Sequence, residues 1–422
     1  MTSNRTGPVP LLFLVGDTGG GHRSAAQAVG QALDRACPGR FATVICDPLR
    51  GDGAPLRLRW LMSLYAPGIR LTPWLWGMLW RGVSSPRALR WARRTLLSPA
   101  YRSVADAVAA NQPALIVAFH PMTAVPAVRA RDRGAPGALV ITVITDLVSA
   151  HLWWRDAAVD RVIVPSAPIG RSCALGGMPE GRWVEIGLPV AAGFSGDPLR
   201  PGERHALRRS LGVDGQRFLV VLTGGAEGSG GIYRRAAALL RHAGDVDVAV
   251  ICGRNRVLQR RLARLARRER SRDSRARPGQ PERSRLTVRG FVDNMPDWMR
   301  CADVVAGKAG PGTIAEAACC AAALLLTSHV PGQEEGNIEF VVSAGAGRYA
   351  PRPRDLVAEV RRLLRDPAAL AAMRAAAAGL SRPSAAADIA GLLAALAGQA
   401  LPGTGTRAGQ PRAGQPRAGQ PG

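Results

Sequence analysis

The sequence lacks the features that define several classes of protein. Its seven cysteines are odd in number and contain no C-x-x-C pair, which argues against a disulfide framework and a zinc ribbon and favours a reducing cytoplasm. The apolar stretch at residues 11–15 is too short for an export signal or a membrane span. No D-x-D motif lies in a loop suited to a divalent cation. We therefore expect no metal site.

Negative charge is also scarce. The chain has 56 Lys and Arg residues against 31 Asp and Glu residues, a net charge of +25, and nearly all of its cations are arginine. This balance indicates an anionic neighbour, either nucleic acid or a bilayer surface, unless it reflects only the codon usage of a genome rich in G and C.

Arginines are concentrated between residues 254 and 289. No aromatic residues are interleaved with them and no nucleic-acid-binding module is recognisable, so we do not expect nucleic acid as a partner. The stretch begins as a helix pattern and ends in a polar loop. We interpret residues 271–284 as a surface insertion, with contact to anionic lipid as its functional alternative.

Length and composition predict two domains. At 422 residues and 47% hydrophobic content, the chain is long enough for two cores. Glycine and proline cluster at 187–202, which predicts a first domain at 1–190 and a second at 203–400. Repeats of Arg-Ala-Gly-Gln-Pro in 401–422 predict a disordered basic tail.

The first domain opens with an apolar strand pattern at residues 11–15 that leads into a glycine-rich turn. The turn lacks the Lys-Ser/Thr pair of a Walker A loop and the G-x-G-x-x-G spacing, so neither ATP nor NAD is favoured. Gly20 and Gly21 end the turn, and His22 stands where it meets a helix pattern at 25–33. An imidazole with a pKa of about 6.5 can take a proton from an alcohol. Capping of the helix by His22 is the alternative.

Two further apolar runs, 114–119 and 139–144, read as parallel strands buried on both faces. They end at His120 and Asp146. Because open α/β sheets place ligands at the carboxyl ends of their strands, both residues are expected in a cleft with His22. A core histidine and a strand-end cap are the respective alternatives.

The second domain carries a possible phosphate site at residues 310–313, Gly-Pro-Gly-Thr. Without Cβ atoms, the two glycines allow backbone N–H groups to approach an anion ahead of a helix. Glu316, one turn later, can accept hydrogen bonds from a ribose diol, and Gln333 and Glu334 suit sugar hydroxyls. Lys308 can offset the charge of a diphosphate. A glycine-rich turn before a packed helix is the alternative.

A second glycine turn follows the apolar run at 218–222 and contains Gly224 and Gly225, which predicts another contact with diphosphate. The run at 246–252 ends before Arg254, which either pairs with a phosphate or stays solvated.

Residues 56–83 combine tryptophan, leucine and flanking arginines. Pro67 and Pro73 interrupt the segment, so neither piece reaches the roughly 20 apolar residues of a spanning helix. Tryptophans with basic flanks are typical of a segment that lies in a bilayer interface, and a hydrophobic hairpin packed on the first domain is the alternative. The tryptophans are Trp60, Trp74, Trp76 and Trp80.

Taken together, these motifs resemble those of the monogalactosyldiacylglycerol synthase family over residues 11–349. In chain order they are GDTGGGHRSAAQAV, ITDLVSAH, TGGAEGSGG, CGRN, GFVDNMPDWM, KAGPGTIAEA and PGQEEGN. The C-terminal motifs are shared more loosely with the bacterial enzyme that adds N-acetylglucosamine to lipid-linked peptidoglycan precursors. One departure is Ala226, which replaces a third successive glycine.

The resemblance implies an α/β protein with two Rossmann-like domains facing a cleft, the GT-B fold. It implies an inverting transfer of galactose or glucose from a UDP-sugar to diacylglycerol, without a cofactor, by a peripheral protein on the cytoplasmic face of an anionic membrane. Other UDP-sugar chemistry, such as N-acetylglucosaminyl transfer or epimerisation, and a non-catalytic membrane or nucleic-acid binding role remain alternatives.

The expected site residues fall into three groups. The catalytic residues are His22 and Asp146. The acceptor and membrane residues are Gly20, Gly21, His120, Trp74, Trp76 and Trp80. The donor residues are Gly224, Gly225, Glu227, Arg254, Phe291, Lys308, Gly310, Gly312, Thr313, Glu316, Gln333, Glu334 and Asn337.

Overall fold

The computed structural model describes residues 7–16, 20–51, 54–64, 78, 98–154, 158–179, 181–273 and 284–400. In these residues two six-stranded parallel sheets are each flanked by helices. The predicted α/β class with two Rossmann-like units is therefore what the structure has.

The first sheet has the strand order β2-β1-β3-β4-β5-β6. Its strands are β1 (Val9–Leu14), β2 (Phe41–Cys46), β3 (Leu115–Ala118), β4 (Leu139–Val143), β5 (Arg161–Val164) and β6 (Trp183–Glu185). Its helices are α1 (Gly21–Ala36), α2 (Leu56–Ser63), α3 (Ser98–Asn111), α4 (Pro121–Gly134) and α5 (Ala167–Leu175).

The second sheet has the order β12-β11-β10-β7-β8-β9. Its strands are β7 (Phe218–Thr223), β8 (Val246–Ile251), β9 (Arg285–Arg289), β10 (Val304–Lys308), β11 (Ala323–Ser328) and β12 (Gly347–Tyr349). Its helices are α6 (Pro201–Ser210), α7 (Ile232–His242), α8 (Arg256–Asp273), α9 (Met295–Cys301), α10 (Pro311–Cys319), α11 (Glu335–Ser343), α12 (Pro353–Arg365) and α13 (Pro367–Gly379), and α14 (Ala385–Ala400) ends the described chain.

Local sequence explains these elements. The central strands are runs such as Leu-Ile-Val-Ala in β3, buried on both faces because helices cover both sides of each sheet. Among the described helices, eight carry proline at their first or second position, where no intrahelical N–H is needed.

The last helix, α14, packs against α1 of the first unit, although the predicted boundary placed it in the second. Its apolar stripe, Ile389, Leu393 and Leu396, joins the core of the first sheet. The chain therefore crosses between the units twice, near Gly187 and near Arg382, and these two crossings touch. Of the helices described, none combines the length and apolar character needed to cross a membrane.

Candidate active site

The carboxyl edges of the two sheets face each other across a cleft, and glycine turns from both units meet there. A Cβ on Gly20 would lie 3.2 Å from the Cβ of Ala226. Beside them, Ser149 Oγ donates a 3.0 Å hydrogen bond to the carbonyl of Gln333. Residues of both units therefore line one site.

His22 lies in the first turn of α1 and points across the first sheet. The helix starts after Gly20. Its φ is 87°, a value that glycine adopts readily and that strains other residues. The Nδ1 atom of His22 is 2.7 Å from the hydroxyl of Thr145, which lies two residues beyond the end of β4. Gly20 is thus the N-cap residue, and the imidazole of His22 is held by Thr145.

His120 packs edge-on against His22, with ring centroids 4.6 Å apart. Its Nδ1 accepts a 3.2 Å hydrogen bond from the backbone N–H of Met122 and so caps α4. Burial, and to a smaller extent the neighbouring His22, lower the pKa of His120 well below the usual value. His120 is therefore a neutral imidazole that combines a structural cap with a place beside His22.

Asp146, the residue after Thr145, also lies in the cleft. The indole Nε1 of the fully buried Trp154 donates a 2.5 Å hydrogen bond to its Oδ2. Burial raises the pKa of Asp146 to about 6; the indole opposes this rise and the negative charge of Glu334 adds to it. Because Glu334 belongs to the second unit, the two carboxylates interact across the cleft.

His22 and Asp146, whose carboxyl pKa is raised, share Trp154 as a neighbour. Trp154 is near both, with its ring centroid 6.3 Å from that of His22. Such a pair can take up and hold a proton from a hydroxyl near neutral pH. His22 and Asp146, the residues predicted to be catalytic, lie in the same part of the cleft, and their roles stay a prediction.

The turn after β7 has a backbone that requires glycine. A Cβ on Gly224 would lie 2.2 Å from the carbonyl oxygen of Ser229, and Gly225 has a φ of 68°. The hydroxyl of Thr223 accepts from the N–H of Gly225. Since Thr223 pairs with Gly307 of β10, this turn and the 310–313 turn are neighbours along the sheet edge.

Lys308 is the only lysine in the chain. Its Nζ lies 2.5 Å from Oε1 of Glu334, while Oε2 of Glu334 accepts from the N–H of Val330. A Cβ on Gly310 would approach the Lys308 ammonium and the Glu334 carboxylate to within 3.7–3.8 Å. Asn337 joins them, since its Nδ2 donates to the carbonyl of Ala309.

The 310–313 turn begins α10, with Pro311 at the first helical position. A Cβ on Gly312 would meet no other atom within 4 Å, so its backbone faces open space. Thr313 is half-buried beside it. Glu316 lies one turn further; burial raises the pKa of its carboxyl group to about 8, and no hydrogen-bond or ion-pair partner is found for it among the described residues.

Arg254 and Phe291 form the outer end of the site. The guanidinium of Arg254 stacks over the Phe291 ring at 5.0 Å and lies 3.9 Å from Glu227. Phe291 is 54% exposed, so it is not a core residue. An exposed ring with a cation beside it suits the stacking of a planar base.

Some predicted residues lie elsewhere, and some site residues were not predicted. Trp74, Trp76 and Trp80 lie outside the described residues. Gly21 is the first residue of α1. Thr145 and Trp154 were not predicted as site residues. Thr145 lies within the strand-end motif ITDLVSAH, whereas nothing in the sequence marks Trp154.

Comparisons with known proteins agree with this architecture. The family model for monogalactosyldiacylglycerol (MGDG) synthase matches residues 22–190, and that for the glycosyltransferase family 28 C-terminal domain matches 219–389. Monogalactosyldiacylglycerol synthase 1 of Arabidopsis thaliana is 33% identical over 359 residues, covering 83% of this chain and 63% of that protein. Monogalactosyldiacylglycerol synthase 3 of the same plant is 31% identical over 359 residues, covering 82% of this chain and 72% of that protein. The chain thus spans less than two thirds of the length of some relatives.

Solved structures share the fold. Anabaena HepE in complex with UDP aligns with a TM-score of 0.54 and 14% identity over 92% of this chain and 100% of that one. Acinetobacter baumannii MurG aligns with a TM-score of 0.55 and 16% identity over the same shares. The predicted GT-B fold is confirmed.

Proposed function

Since the chain belongs to the monogalactosyldiacylglycerol synthase family, we propose that it transfers a hexose from a UDP-sugar to the free hydroxyl of diacylglycerol. Galactose is the sugar named for its relatives. The observation that carries the proposal is the meeting of His22 and Asp146 from one unit with Lys308 and Glu334 from the other, on opposite sides of one cleft.

The donor binds mainly to the second unit in this proposal. Phe291 and Arg254 hold the uracil end, and Glu316 holds the ribose. The diphosphate lies between the Gly224-Gly225 turn and the N-terminus of α10, whose free N–H groups favour an anion. The sugar then reaches Gln333, Glu334 and Asn337 at the mouth of the first unit.

The acceptor hydroxyl attacks the anomeric carbon from the side of His22. As the new carbon–oxygen bond forms, the bond to UDP breaks and the hydroxyl proton passes to His22, whose imidazolium is stabilised by the ionised Asp146 nearby. In-line attack inverts the anomeric centre, so an α-linked donor gives a β-glycoside. Thr145 holds the imidazole in position for this step.

The charge of the departing diphosphate is offset by Lys308 and the α10 N-terminus in our proposal, without a divalent metal ion or other cofactor. We further propose that the protein works as a peripheral protein on the cytoplasmic face of an anionic membrane, where diacylglycerol is available.

The test is incubation of the purified full chain with labelled UDP-galactose or UDP-glucose and vesicles containing diacylglycerol, followed by chromatography of the lipid phase. We expect a labelled monoglycosyl lipid, undiminished by EDTA. His22→Ala should reduce its formation by about 10²–10⁴-fold while UDP binding, measured by calorimetry, is retained; His242→Ala, on the surface of α7, is the matched control. If the chain bound UDP but formed no labelled lipid, diacylglycerol would not be its acceptor. If EDTA abolished activity, the transfer would not be independent of a divalent metal ion.

A further inference from the structure

The second unit presents a strongly basic surface that the proposed reaction does not use. Helices α7, α8 and α12 pack side by side on one face of the second sheet, with α7 in the middle. Their outward side chains are mostly arginines, which we call the basic face. It comprises Arg234 and Arg241 of α7, Arg256, Arg260, Arg261, Arg264, Arg267, Arg268 and Arg270 of α8, and Arg361 and Arg365 of α12, all exposed.

Helix α8 carries most of this charge. Its inner side, Leu258, Leu262 and Ala266, is buried in the core, so its apolar stripe is already occupied. Its outer side has seven exposed arginines and, among residues whose side chains are described, Glu269 is the sole acidic residue of the helix. The face can therefore attract anions but cannot insert an apolar stripe into another structure.

The arginines of α8 repel one another in the isolated protein, which raises its free energy. Arg256, Arg260, Arg264 and Arg268 follow one another at four-residue spacing, where like charges repel along a helix. The first turn of α8 contains arginine and no acidic residue, against the positive end of the helix dipole. Within the described part of the chain, these four arginines have no carboxylate partner. An external anionic surface would relieve the repulsion.

The acidic side chains of α12 already have partners at the start of that helix or within it. On α12, Asp355 accepts from the N–H of Arg352 at the start of the helix, and Glu359 pairs with Arg362 at 2.9 Å. Helix α7 has no acidic residue at all. The basic face is therefore continuous across the three helices.

The chemistry of the face selects among anionic partners. A protein interface needs an apolar centre, yet among the described residues of α8 Val257 is the one large apolar side chain that is exposed. Single-stranded nucleic acid needs exposed aromatic rings, but Tyr233 is partly buried beneath the guanidinium of Arg261 at 4.7 Å. A bilayer of anionic lipid needs neither, only a broad array of cations.

We propose that the basic face docks the second unit onto a bilayer surface rich in anionic headgroups, by electrostatic adsorption without insertion. This contact is separate from the acceptor site of the first unit and does not depend on glycosyl transfer. Helix α8 starts beside Asn255, which donates to the carbonyl of Gly228 in the β7 turn region, so the docked face lies next to the donor end of the cleft.

The test is flotation of the full chain with vesicles of phosphatidylcholine alone or mixed with phosphatidylglycerol, at low and high salt. We expect Arg260→Gln/Arg264→Gln/Arg267→Gln/Arg268→Gln to weaken binding to the mixed vesicles by at least roughly tenfold, because each basic side chain near an anionic surface contributes substantially. The same four positions changed to lysine should bind as the parent chain does. Salt should abolish the difference between parent and glutamine variant.

The matched control is Arg35→Gln/Arg133→Gln/Arg171→Gln/Arg209→Gln, which removes the same charge from exposed positions outside the face and should leave the preference for anionic vesicles unchanged. An equal loss in the control, or no loss in the α8 variant, would overturn the proposal. The proposal would also be overturned if the α8 variant lost binding to an oligonucleotide and kept its binding to the vesicles. Glycolipid formation is measured in a separate assay with diacylglycerol in neutral detergent micelles, which needs no bilayer docking. Failure here therefore leaves the proposed reaction standing, and the converse also holds.

Discussion

The indole Nε1 of Trp154 donates a 2.5 Å hydrogen bond to Oδ2 of Asp146, and the Trp154 ring centroid lies 6.3 Å from that of His22. Burial alone would keep this carboxyl group protonated to a higher pH, and the indole is the group that favours its ionised form. Trp154 therefore acts on the proposed reaction through the charge of Asp146 and not by touching the substrate.

Replacement of Trp154 by phenylalanine removes the indole donor. The pKa of Asp146, about 6 in the parent chain, should then rise, because the ionised form loses its hydrogen bond. If ionised Asp146 supports the transfer, the rising limb of kcat/KM against pH moves to higher pH. The deficit is largest in acid, about tenfold for each unit by which the pKa rises, and shrinks in alkali.

Trp153→Phe, one residue earlier, serves as the control, and its profile should keep the parental limb. A Trp154→Phe variant whose activity is reduced equally at every pH would contradict a role through Asp146 and indicate damage to packing instead.

Thr145 is expected to position His22. In Thr145→Val the 2.7 Å contact with Nδ1 is lost while side-chain volume is nearly kept. We expect kcat/KM to fall by about 10- to 100-fold, since a hydrogen bond to a charged imidazole contributes about 1.5–3 kcal/mol. Thr145→Ser, which keeps the hydroxyl, should restore most of the activity. Equal losses in the two variants would contradict the positioning role.

Much of the fold could be predicted from the sequence because its signals are local. Continuous apolar runs such as 246–252 identify strands buried on both faces, and glycine turns mark where those strands end. The edge of a parallel sheet then brings the residues after each strand together, which is why His120 and Asp146 were expected near His22.

Contacts between distant side chains could not be predicted in the same way. Trp154 reaches Asp146 through a loop whose course depends on packing around it. The apolar stripe of α14 fits either unit in principle, and its place on α1 follows from the crossing beside Gly187. The sequence predicted Lys308 at the diphosphate and Glu334 at the sugar hydroxyls. Their contact with each other depends on the course of the loop after β11.

Replacement of Lys308 by arginine should impair the reaction, although every other Lys or Arg position in the chain is arginine. The ammonium fits between Gly310 and Glu334, where a Cβ on Gly310 would already lie 3.8 Å from Nζ. A planar guanidinium is larger and spreads its charge. We expect Lys308→Arg to lower kcat/KM by at least about tenfold, nearly as much as Lys308→Met, because a preorganised cation at the leaving group is lost. Arg254→Lys is the comparison at the uracil end. Parental activity in Lys308→Arg would show that charge alone suffices.

Glu316 is expected to bind the donor as a neutral acid. Burial raises the pKa of its carboxyl group to about 8, so in the free protein the group is protonated at neutral pH and ionises as the pH rises through that value. An ionised carboxylate close to a diphosphate would repel it, so UDP affinity, measured by calorimetry, should fall above pH 8. Glu316→Gln carries a neutral amide of similar shape, and it should bind UDP within a few-fold of the parent chain and lose the alkaline fall. Glu316→Ala should bind about tenfold more weakly at every pH, because a buried hydrogen bond to the ribose is removed. An alkaline fall that persists unchanged in Glu316→Gln would assign the titration to another group and leave Glu316 as an ordinary ionised acceptor.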